Sequence, residues 1–371
     1  MKKITYIISE IDKAIAFEWV VHFINKEKFS LSFILINSEN SYLGKFLAKE
    51  NIPVFHVKCS NKFHLPIAIF NCYNKLKKIK PDIVHCHLFH ANLIGLTAAK
   101  LANIRSRIFT RHYSTYHHDY FPKTVKWDRQ INKLSTTIIA ISENVKNVLI
   151  ENEQVNPEKI TLIHHGFDLP TFEQINEGIF SSLTNKYNPR NKYPVIGVIS
   201  RFTELKGIQF IIPAFQKLLQ YYPDALLLMF NAHGDFESQI DSLLENQPKD
   251  SFSKIKFENE ITSLYKLFDV FIHVPVDKQI EAFGQTYVEA LASGTPSIFT
   301  LSGVANEFIK DRENALVVPY KNADAIFDAM VELLKDDNLK NKLIENGKLD
   351  VCNRFKIEIM ISKLEKLYDS L

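Results

Sequence analysis

The sequence predicts an α/β chain built from two doubly wound, Rossmann-like domains that face each other across a cleft. Short apolar runs alternate with helix-length segments along most of the 371 residues. Such runs are typical of parallel strands that are covered by helices on both faces. The alternation stops once, in the polar stretch 169–194, which contains Pro170, Pro189 and Pro194. This stretch is therefore interpreted as a linker between two domains of ordinary size.

The N-terminal domain is expected at residues 1–168. Pro81 separates its third helix from its fourth strand, and Ser142 is well placed to cap its last helix. The predicted strands are 4–9, 31–36, 53–57, 83–87, 107–112, 137–142 and 160–165. The predicted helices are 13–25, 41–51, 65–80, 91–102 and 143–152.

The C-terminal domain is expected at residues 195–350, followed by a helix at 351–371 that packs back on the N-terminal domain. The predicted strands are 195–200, 225–230, 255–257, 270–276, 296–300 and 315–318. The predicted helices are 207–221, 236–245, 263–268, 285–292 and 323–335, and the tail from residue 338 is also helical by pattern. Two such domains leave a cleft between them, where small ligands usually bind.

The sequence argues against a membrane-spanning protein, a signal peptide and a disulfide-rich protein. No apolar run reaches the roughly 18–20 residues that span a bilayer. The run 4–9 is too short for a signal peptide and fits a buried first strand better. The four cysteines are scattered, which favours a reducing cytoplasm over a disulfide framework.

Charge is distributed unevenly along the chain. Residues 1–190 contain 25 Lys and Arg against 16 Asp and Glu, whereas residues 191–371 contain 20 against 26. This is either compositional drift or a basic half that meets an anionic surface or acceptor, such as a phosphorylated lipid at a membrane. The candidate docking residues are Lys75, Lys77, Lys78, Lys80, Arg105, Arg107 and Arg111.

Two carboxylates mark the segment 281–300, which has the pattern of a loop, a helix and a strand. Glu281 follows an apolar strand, and Glu289 lies within the helix. Ligands of open parallel sheets bind beyond the carboxyl ends of the strands, so both carboxylates could face one ligand. Eight helical residues would separate them by about 80°, so a shared ligand requires Glu281 to lie in the loop.

Two cations occupy another corner between a strand and a helix. Arg201 is at the strand end and Lys206 is at the helix start, where free N–H groups and the helix dipole favour phosphate. They are either a diphosphate clamp or two solvated charges, and Gly207 does not complete a Walker-type loop. The turn from Ser302 to Glu307 either presents backbone amides to the same ligand or is an ordinary turn.

Histidines are dense in the first half of the chain. His87, His112 and His165 fall at or near predicted strand ends, and His112 is the best candidate to face a ligand, the alternative being a structural histidine. His85 and His87 share one face of a strand while Cys86 points away, and no C-x-x-C or H-E-x-x-H is present. We therefore expect no metal site. Signatures of serine hydrolases, nicotinamide dehydrogenases and nucleic-acid-binding proteins are absent as well.

The motifs together resemble one enzyme family. Glu281 and Glu289 are spaced like the E-x7-E motif of the retaining family-4 glycosyltransferases, which have the GT-B fold. EAFGQTYVEALASGTPSI (281–298) and VIGVISRFTELKGI (195–208) resemble the family's donor-binding segments. HHGFD (164–168) and SGVANEFIKDRENALVVP (302–319) are similar to the flanking segments. The resemblance covers about residues 80–335.

The resemblance implies a role for each matching residue. Arg201 and Lys206 would hold the diphosphate of a nucleotide-sugar, and Glu289 would bind the ribose. Glu281 would contact hydroxyls of the donor sugar, beside the backbone amides of Phe283 and Gly284. Residues expected near the nucleotide are Ser302, Gly303, Val304 and Asn314. His112, in the acceptor-binding N-terminal domain, would lie near the sugar.

The resemblance also implies a reaction. A hexose-type sugar would move from a UDP- or GDP-sugar to a glycan or lipid-linked acceptor, with retention and without a metal or other cofactor. Surface polysaccharide assembly, such as lipopolysaccharide, would fit. We expect a cytoplasmic protein at the inner face of the membrane that binds no nucleic acid. The alternatives are a GT-B-fold epimerase or phosphorylase and a non-catalytic nucleotide-sugar-binding protein.

One segment departs from the family pattern. Many members have a glycine-rich loop after the first strand, but residues 9–18 contain no glycine. Close approach of the backbone to phosphate is harder when side chains are present. We therefore expect Glu10, Asp12 or Lys13 to influence the choice of acceptor.

Overall fold

The chain folds into two compact units in the computed structural model, which describes residues 1–174 and 176–371. The first unit contains Met1–Phe167 and Ile357–Leu371, and the second contains Asp168–Lys356. Ile175, within the predicted linker, lies outside the described residues. No helix in the described part of the chain is both long and apolar enough to cross a membrane.

The strands coincide with the short apolar runs. Those of the first unit are β1 (Lys2–Ser9), β2 (Phe29–Ile36), β3 (Val54–Val57), β4 (Ile83–His87), β5 (Ser106–Arg111), β6 (Thr137–Ala140) and β7 (Ile160–Leu162). Those of the second are β8 (Val195–Ile199), β9 (Leu226–Phe230), β10 (Phe252–Ile255), β11 (Val270–His273), β12 (Ser297–Phe299) and β13 (Leu316–Val317).

Helices connect successive strands. In the first unit they are α1 (Ile15–Phe23), α2 (Tyr42–Lys49), α3 (Leu65–Ile79), α4 (Phe89–Leu101), α5 (Tyr116–Tyr120), α6 (Val125–Leu134) and α7 (Glu143–Asn147). Those of the second unit are α8 (Pro170–Glu173), α9 (Glu177–Tyr187), α10 (Ile208–Leu218), α11 (Glu237–Leu244), α12 (Ile261–Leu264), α13 (Gln285–Ala292), α14 (Ala305–Phe308), α15 (Ala323–Lys335) and α16 (Asp337–Phe355). The last helix, α17 (Ile357–Ser370), belongs to the first unit.

Both sheets are parallel and reverse their strand order once. The first sheet has the order β3-β2-β1-β4-β5-β6-β7, and the second has the order β10-β9-β8-β11-β12-β13. Ile4 of β1 pairs with Leu31 of β2 on one side and with Ile83 of β4 on the other. This order confirms the predicted doubly wound α/β class. It places the ligand-binding crevice of each unit beyond the carboxyl ends of β1 and β4, or of β8 and β11.

Each unit has its own apolar core, because its central strands are buried on both faces. Every residue of β4, β8 and β9 is buried. The core of the first unit includes Ile361 and Tyr368 of α17. The core of the second unit includes Phe215, Met229 and Ile272.

Several predicted boundaries require correction. The stretch 169–194, predicted as a linker, contains α8 and α9 and belongs to the second unit. The C-terminal helix begins at Ile357 rather than at residue 351, because residues up to Phe355 continue α16. The sequence analysis missed α6, whose buried face combines Asp128 and Asn132 with Ile131 and Leu134. The predicted cap at Ser142 is confirmed, since its hydroxyl accepts a hydrogen bond from the Val145 amide at 3.1 Å.

Candidate functional site

The candidate site of the second unit lies where the strand order reverses, between β8 and β11. Residues 200–207 leave β8, and residues 274–284 leave β11. Gly207, at φ +75°, precedes α10 and packs so closely that a Cβ would lie 2.0 Å from the Val274 carbonyl oxygen. The Val276 amide also donates to the Leu205 carbonyl at 3.0 Å. These contacts hold the two loops side by side and fix the position of Lys206.

Lys206 and Glu281 form an ion pair at this point. The Lys206 Nζ is 2.5 Å from the Glu281 Oε1, and the side chains are only 19% and 12% exposed. Burial by itself raises the pKa of the Glu281 carboxyl, but Lys206 and His273 more than offset this effect and hold the pKa well below its usual range. Glu281 lies in the loop before α13, as a ligand shared with Glu289 would require.

His273 is a member of the site that the sequence analysis missed. It ends β11, and its Nε2 lies 3.0 Å from the same Oε1 of Glu281. Because a carboxylate only accepts, the Nε2 carries the proton that bridges them. Burial lowers the pKa of His273, which Glu281 partly offsets, so the ring stays neutral at neutral pH. His273 falls in the middle of the predicted strand 270–276, so no local signal marked it as a site residue.

The turn at Ser302, Gly303 and Val304 braces the Glu281 loop. The Ser302 hydroxyl accepts from the Glu281 amide at 3.0 Å and donates to the Asp277 carbonyl at 2.8 Å. The Val304 amide donates to the Phe283 carbonyl at 2.9 Å, and the Gly303 amide donates to the Lys278 carbonyl at 3.1 Å. These two amides and the Ser302 hydroxyl are hydrogen-bonded within the unit, and the position of Ser302, Gly303 and Val304 near the nucleotide stays a prediction.

Asn314 is held by hydrogen bonds within the second unit. It is buried, and its amide nitrogen donates to the Phe308 carbonyl at 2.9 Å and to Asp350 at 2.7 Å. Its oxygen accepts from the Lys310 amide at 2.9 Å. These bonds use both amide protons of the side chain, and its place near the nucleotide stays a prediction.

Glu289 lies in the second turn of α13 with a partner of its own. The Tyr265 hydroxyl donates to it at 2.8 Å, and burial raises the pKa of the Glu289 carboxyl. Gly284 starts α13 at φ +90°, and Phe283 is buried beside it, with its ring 5.7 Å from that of Phe355. The ribose contact of Glu289 and the sugar contacts of the amides of Phe283 and Gly284 stay predictions.

Arg201 is exposed at the end of β8, and no described residue of the second unit forms a hydrogen bond or ion pair with its guanidinium. Together with Lys206 and the N-terminus of α10, it gives the site two cations and a positive helix end. A diphosphate fits this electrostatic environment, and the carboxylate of Glu281 can accept from hydroxyl groups. The geometry therefore suits a ligand that carries both a diphosphate and hydroxyl groups.

The first unit has a histidine cluster at the corresponding edge of its sheet. The Nδ1 of His87 is 3.0 Å from the Nε2 of His112, and the His112 ring stacks on His165 with centroids 5.6 Å apart. Burial lowers the pKa of His112 to about 4 and, with the neighbouring imidazoles, that of His165 to about 3. His112 is therefore a neutral donor or acceptor at neutral pH. In the described part of the chain, no three His, Cys, Asp or Glu side chains are placed to hold a metal ion.

The other conspicuous histidine of this edge, His85, is structural. Its Nδ1 lies 2.7 Å from the Tyr368 hydroxyl, and its Nε2 lies 2.8 Å from the Thr110 hydroxyl. The Tyr368 hydroxyl is also 2.6 Å from that of Tyr6. Both ring nitrogens of His85 are thus satisfied, and α17 is tied to the centre of the first sheet.

The glycine-free loop after β1 contains Glu10 in a left-handed conformation, at φ +54°. The Glu10 carboxylate lies 3.0 Å from the Nδ1 of His90, on the neighbouring β4–α4 corner. Asp12 instead caps α2, since it accepts from the Tyr42 amide at 2.9 Å, and Lys13 lies 5.4 Å from the centre of the Tyr42 ring. Of the three residues predicted to influence acceptor choice, Glu10 is the one placed at the switch point.

Arg111, predicted to dock at a membrane, is fully buried and cannot do so. Its guanidinium pairs with Glu153, lies 3.5 Å from Asp128 and donates to the Tyr113 carbonyl at 3.0 Å. Arg107 likewise donates to main-chain carbonyls inside its own unit. Local sequence could not show this, because the two carboxylates come from α6 and from the segment after α7.

Two family models match the chain. The model for Glycosyltransferase Family 4 matches residues 41–170, and the model for Glycosyl transferases group 1 matches residues 180–350. The two matches lie in the first and the second unit respectively, apart from residues 168–170.

Relatives of known name match most of the chain. A UDP-Gal:alpha-D-GlcNAc-diphosphoundecaprenol alpha-1,3-galactosyltransferase of Escherichia coli is 25% identical, over 81% of this chain and 78% of its own. The capsular polysaccharide biosynthesis glycosyltransferase CapM of Staphylococcus aureus is 27% identical over 88% of both. An alpha-monoglucosyldiacylglycerol synthase of Acholeplasma laidlawii is 23% identical, over 82% and 79%.

Solved structures share the fold. Anabaena HepE, in complex with UDP and glucose, superposes with a TM-score of 0.85 at 16% identity over the full length of both chains. A glycosyltransferase from Rickettsia africae gives a TM-score of 0.81 at 24% identity, over 100% of this chain and 98% of its own. These similarities confirm the fold class that the alternating sequence pattern predicted.

Proposed function

The chain belongs to glycosyltransferase family 4, and we propose that it moves a hexose-type sugar from a nucleotide-sugar to a glycan or lipid-linked acceptor, with retention of configuration and without a metal ion. The observation that carries this proposal is the cluster of Lys206, Glu281 and His273 where the second sheet reverses its order. It places a cation and a helix N-terminus beside a fixed hydrogen-bond acceptor. A nucleotide-sugar presents the matching groups, a diphosphate and sugar hydroxyls.

The donor is proposed to be a UDP- or GDP-sugar. Solved structures of the same fold contain UDP, and the E. coli relative is named for UDP-Gal. Arg201 and Lys206 hold the diphosphate, and the N-terminus of α10 adds its dipole. When the diphosphate takes Lys206 as a partner, Glu281 keeps its hydrogen bond from His273, so its carboxylate remains in place to accept from the sugar.

In the proposed transfer, the acceptor hydroxyl oxygen forms a bond to the anomeric carbon on the face that the diphosphate leaves. The bond from the anomeric carbon to the phosphate oxygen breaks, and its electron pair stays with the diphosphate. The acceptor proton passes to a phosphate oxygen. Arg201 and Lys206 stabilise the charge that develops on the leaving group, a kind of contribution that typically gives about 10²–10³ in rate per donor.

His112 and Glu289 complete the proposed donor contacts. The neutral imidazole of His112 contacts a hydroxyl of the transferred sugar, and Glu289 accepts from the ribose. Glu289 is held by Tyr265, and its raised pKa reflects a site that is mostly withdrawn from water. The amides of Phe283 and Gly284 lie in the same loop as Glu281 and are proposed to face the sugar.

The acceptor is proposed to be linked to a lipid, in the assembly of a surface polysaccharide such as lipopolysaccharide or of a glycolipid. The relatives named for diphosphoundecaprenol, for capsular polysaccharide and for diacylglycerol support this class. The protein would then work in the cytoplasm at the inner face of the membrane. Glu10, at the switch point of the first sheet, is proposed to contribute to acceptor choice.

The test is a transfer assay with purified protein. UDP- and GDP-hexoses are offered with a diphosphoundecaprenol-linked sugar or with diacylglycerol, and the anomeric configuration of the product is read by NMR. The expected product has the configuration of the donor, and Glu281→Gln lowers kcat/KM by about 10²–10³.

A matched control for this variant lies in the neighbouring loop. Glu204→Gln changes an exposed carboxylate two residues from Lys206 and is expected to keep the wild-type rate. An inverted product would contradict the retaining proposal. Full activity of Glu281→Gln would contradict the site.

A further inference from the structure

The helix α3 exposes an apolar stripe to solvent. Phe63, just before α3, is 78% exposed, and Ile67 and Phe70 within it are 58% and 61% exposed. These three residues, here called the α3 stripe, follow one another at spacings of four and three, so they lie on one side of the helical path. Large apolar side chains that cluster on a surface typically mark an interaction site.

The α3 stripe is not needed for the packing of α3. The helix is anchored by Ala68, Cys72 and Leu76, which are buried at spacings of four on its other side. The Phe70 ring stacks against Tyr73 of the same helix, with centroids 6.4 Å apart. The α3 stripe is therefore a surface feature and is not part of the apolar core.

The charge around the α3 stripe has one sign. Between Glu50 and Asp82 the chain has six lysines and no acidic residue. Lys77, Lys78 and Lys80 are exposed at the end of α3, and the Lys62 Nζ lies 5.2 Å from the centre of the Phe63 ring. An anionic surface complements this segment.

We propose that the α3 stripe docks on a lipid bilayer that contains anionic lipids. Phe63, Ile67 and Phe70 enter the boundary between headgroups and acyl chains, while the lysines contact the phosphates of the headgroups. A lipid surface fits better than a protein partner, because lysine is depleted at protein–protein interfaces whereas lysines beside apolar residues are typical of membrane-surface helices.

This inference deepens the proposed function, because it rests on a lipid-linked acceptor for its biological purpose. The docking itself involves neither donor nor acceptor, so it is measured on vesicles alone. A protein that binds vesicles but transfers no sugar would overturn the proposed function and leave the docking surface intact. A protein that transfers sugar to a soluble acceptor but ignores vesicles would overturn the docking surface alone.

The experiment is co-sedimentation with vesicles of phosphatidylcholine, with and without phosphatidylglycerol. Wild type is expected to bind the anionic vesicles and to lose binding as salt rises. Lys77→Gln with Lys78→Gln is expected to weaken binding roughly 25-fold, about fivefold for each lysine. Phe70→Glu is expected to weaken vesicle binding at least about tenfold, because a charge replaces apolar area that would be buried in the bilayer.

The matched control is Phe257→Glu, which changes an equally exposed phenylalanine of the second unit. It is expected to bind vesicles like wild type, and circular dichroism confirms that each variant is folded. Equal binding to neutral and anionic vesicles, or wild-type binding by Phe70→Glu, would overturn the proposal. A dimer that Phe70→Glu dissociates, with no vesicle binding, would assign the stripe to a second copy instead.

Discussion

Replacing Lys206 with methionine removes the cation of the candidate donor site and keeps most of the length of its side chain. Glu281 then retains His273 as a neutral donor but loses its ion pair. Because the Lys206 and Glu281 side chains are only 19% and 12% exposed, water replaces the lost partner poorly. The substitution should therefore cost stability as well as activity.

The size of the loss follows from the burial of the pair. Removing one partner of a fully buried pair costs about 3–5 kcal/mol, and exposed pairs contribute about 0–1 kcal/mol. The pair lies between these limits and Glu281 keeps one hydrogen bond, so we expect a loss of about 2 kcal/mol. In a unit of roughly 190 residues this lowers Tm by about 4–8 °C.

A double-mutant cycle measures the coupling. Lys206→Met, Glu281→Gln and the double variant are unfolded in urea, and the Lys206 substitution should cost less than about 1 kcal/mol once the carboxylate is gone. Lys217→Met is the control. Lys217 lies on the exposed side of α10 and pairs with the exposed Asp324 of α15, so its loss should cost little. A stability of Lys206→Met within about 0.5 kcal/mol of wild type would refute the buried pairing.

Three further predictions concern other parts of the chain. Acidification from about pH 6.5 to about pH 4 should lower the free energy of unfolding, followed in urea, because the unfolded chain binds protons at His85, His112 and His165 that the folded chain excludes. The folded pKa values are about 3 for His85, about 4 for His112 and about 3 for His165. The contribution of these neutral histidines to stability is therefore complete above the unfolded pKa near 6.5. It is lost as pH falls below that value, by up to about 1.4 kcal/mol per pH unit for each histidine. Gly303→Ala should lower kcat/KM by about 10² and stability by about 2 kcal/mol, measured by kinetics and urea unfolding, because a Cβ at φ +57° would lie 2.8 Å from Glu281 and displace it. Arg111→Met should cost about 3–5 kcal/mol in urea unfolding, because it leaves the carboxylates of Asp128 and Glu153 buried without their cation.

Each of these three predictions has its own control. His85→Gln should reduce the pH slope, and an unchanged slope would contradict the buried neutral histidine. Gly178→Ala, on α9 with no atom nearer than 3.5 Å, should be neutral or stabilising. Arg129→Met changes an exposed arginine of α6 and should cost less than about 0.5 kcal/mol, so equal losses for both arginines would argue against a special role of burial.

The central strands and several helices could be predicted because their residues are buried or amphipathic in a simple pattern. Strand β4 and helices α13 and α15 begin and end where the sequence predicted. The helices α5 and α6 were not predicted. The burial of Asp128 on α6 depends on its pairing with Arg111 of β5, which local sequence does not show. Hydrophobic period carries no information about such tertiary pairing.

Part of the candidate site could be predicted from the positions of its residues after predicted strands. Lys206 and Glu281 lie in the loops that follow β8 and β11, and the strand order makes these two strands neighbours. The bracing role of Ser302 depends on Asp277, and the structural role of Asn314 depends on Asp350. Neither partner is adjacent in sequence, so the motif alone could not show these supporting contacts. His273 was missed because its function depends on its contact with Glu281.

The most direct test of the donor site is the binding of free UDP and GDP, measured by isothermal titration calorimetry without an acceptor. Wild type is expected to bind at least one of them, and Lys206→Met and Arg201→Met are each expected to weaken that binding at least about tenfold, since each removes a charge-assisted contact of about 1.5–3 kcal/mol. Lys217→Met should bind like wild type. Nucleotide binding that is unaffected by both site substitutions would contradict a diphosphate site at Arg201 and Lys206.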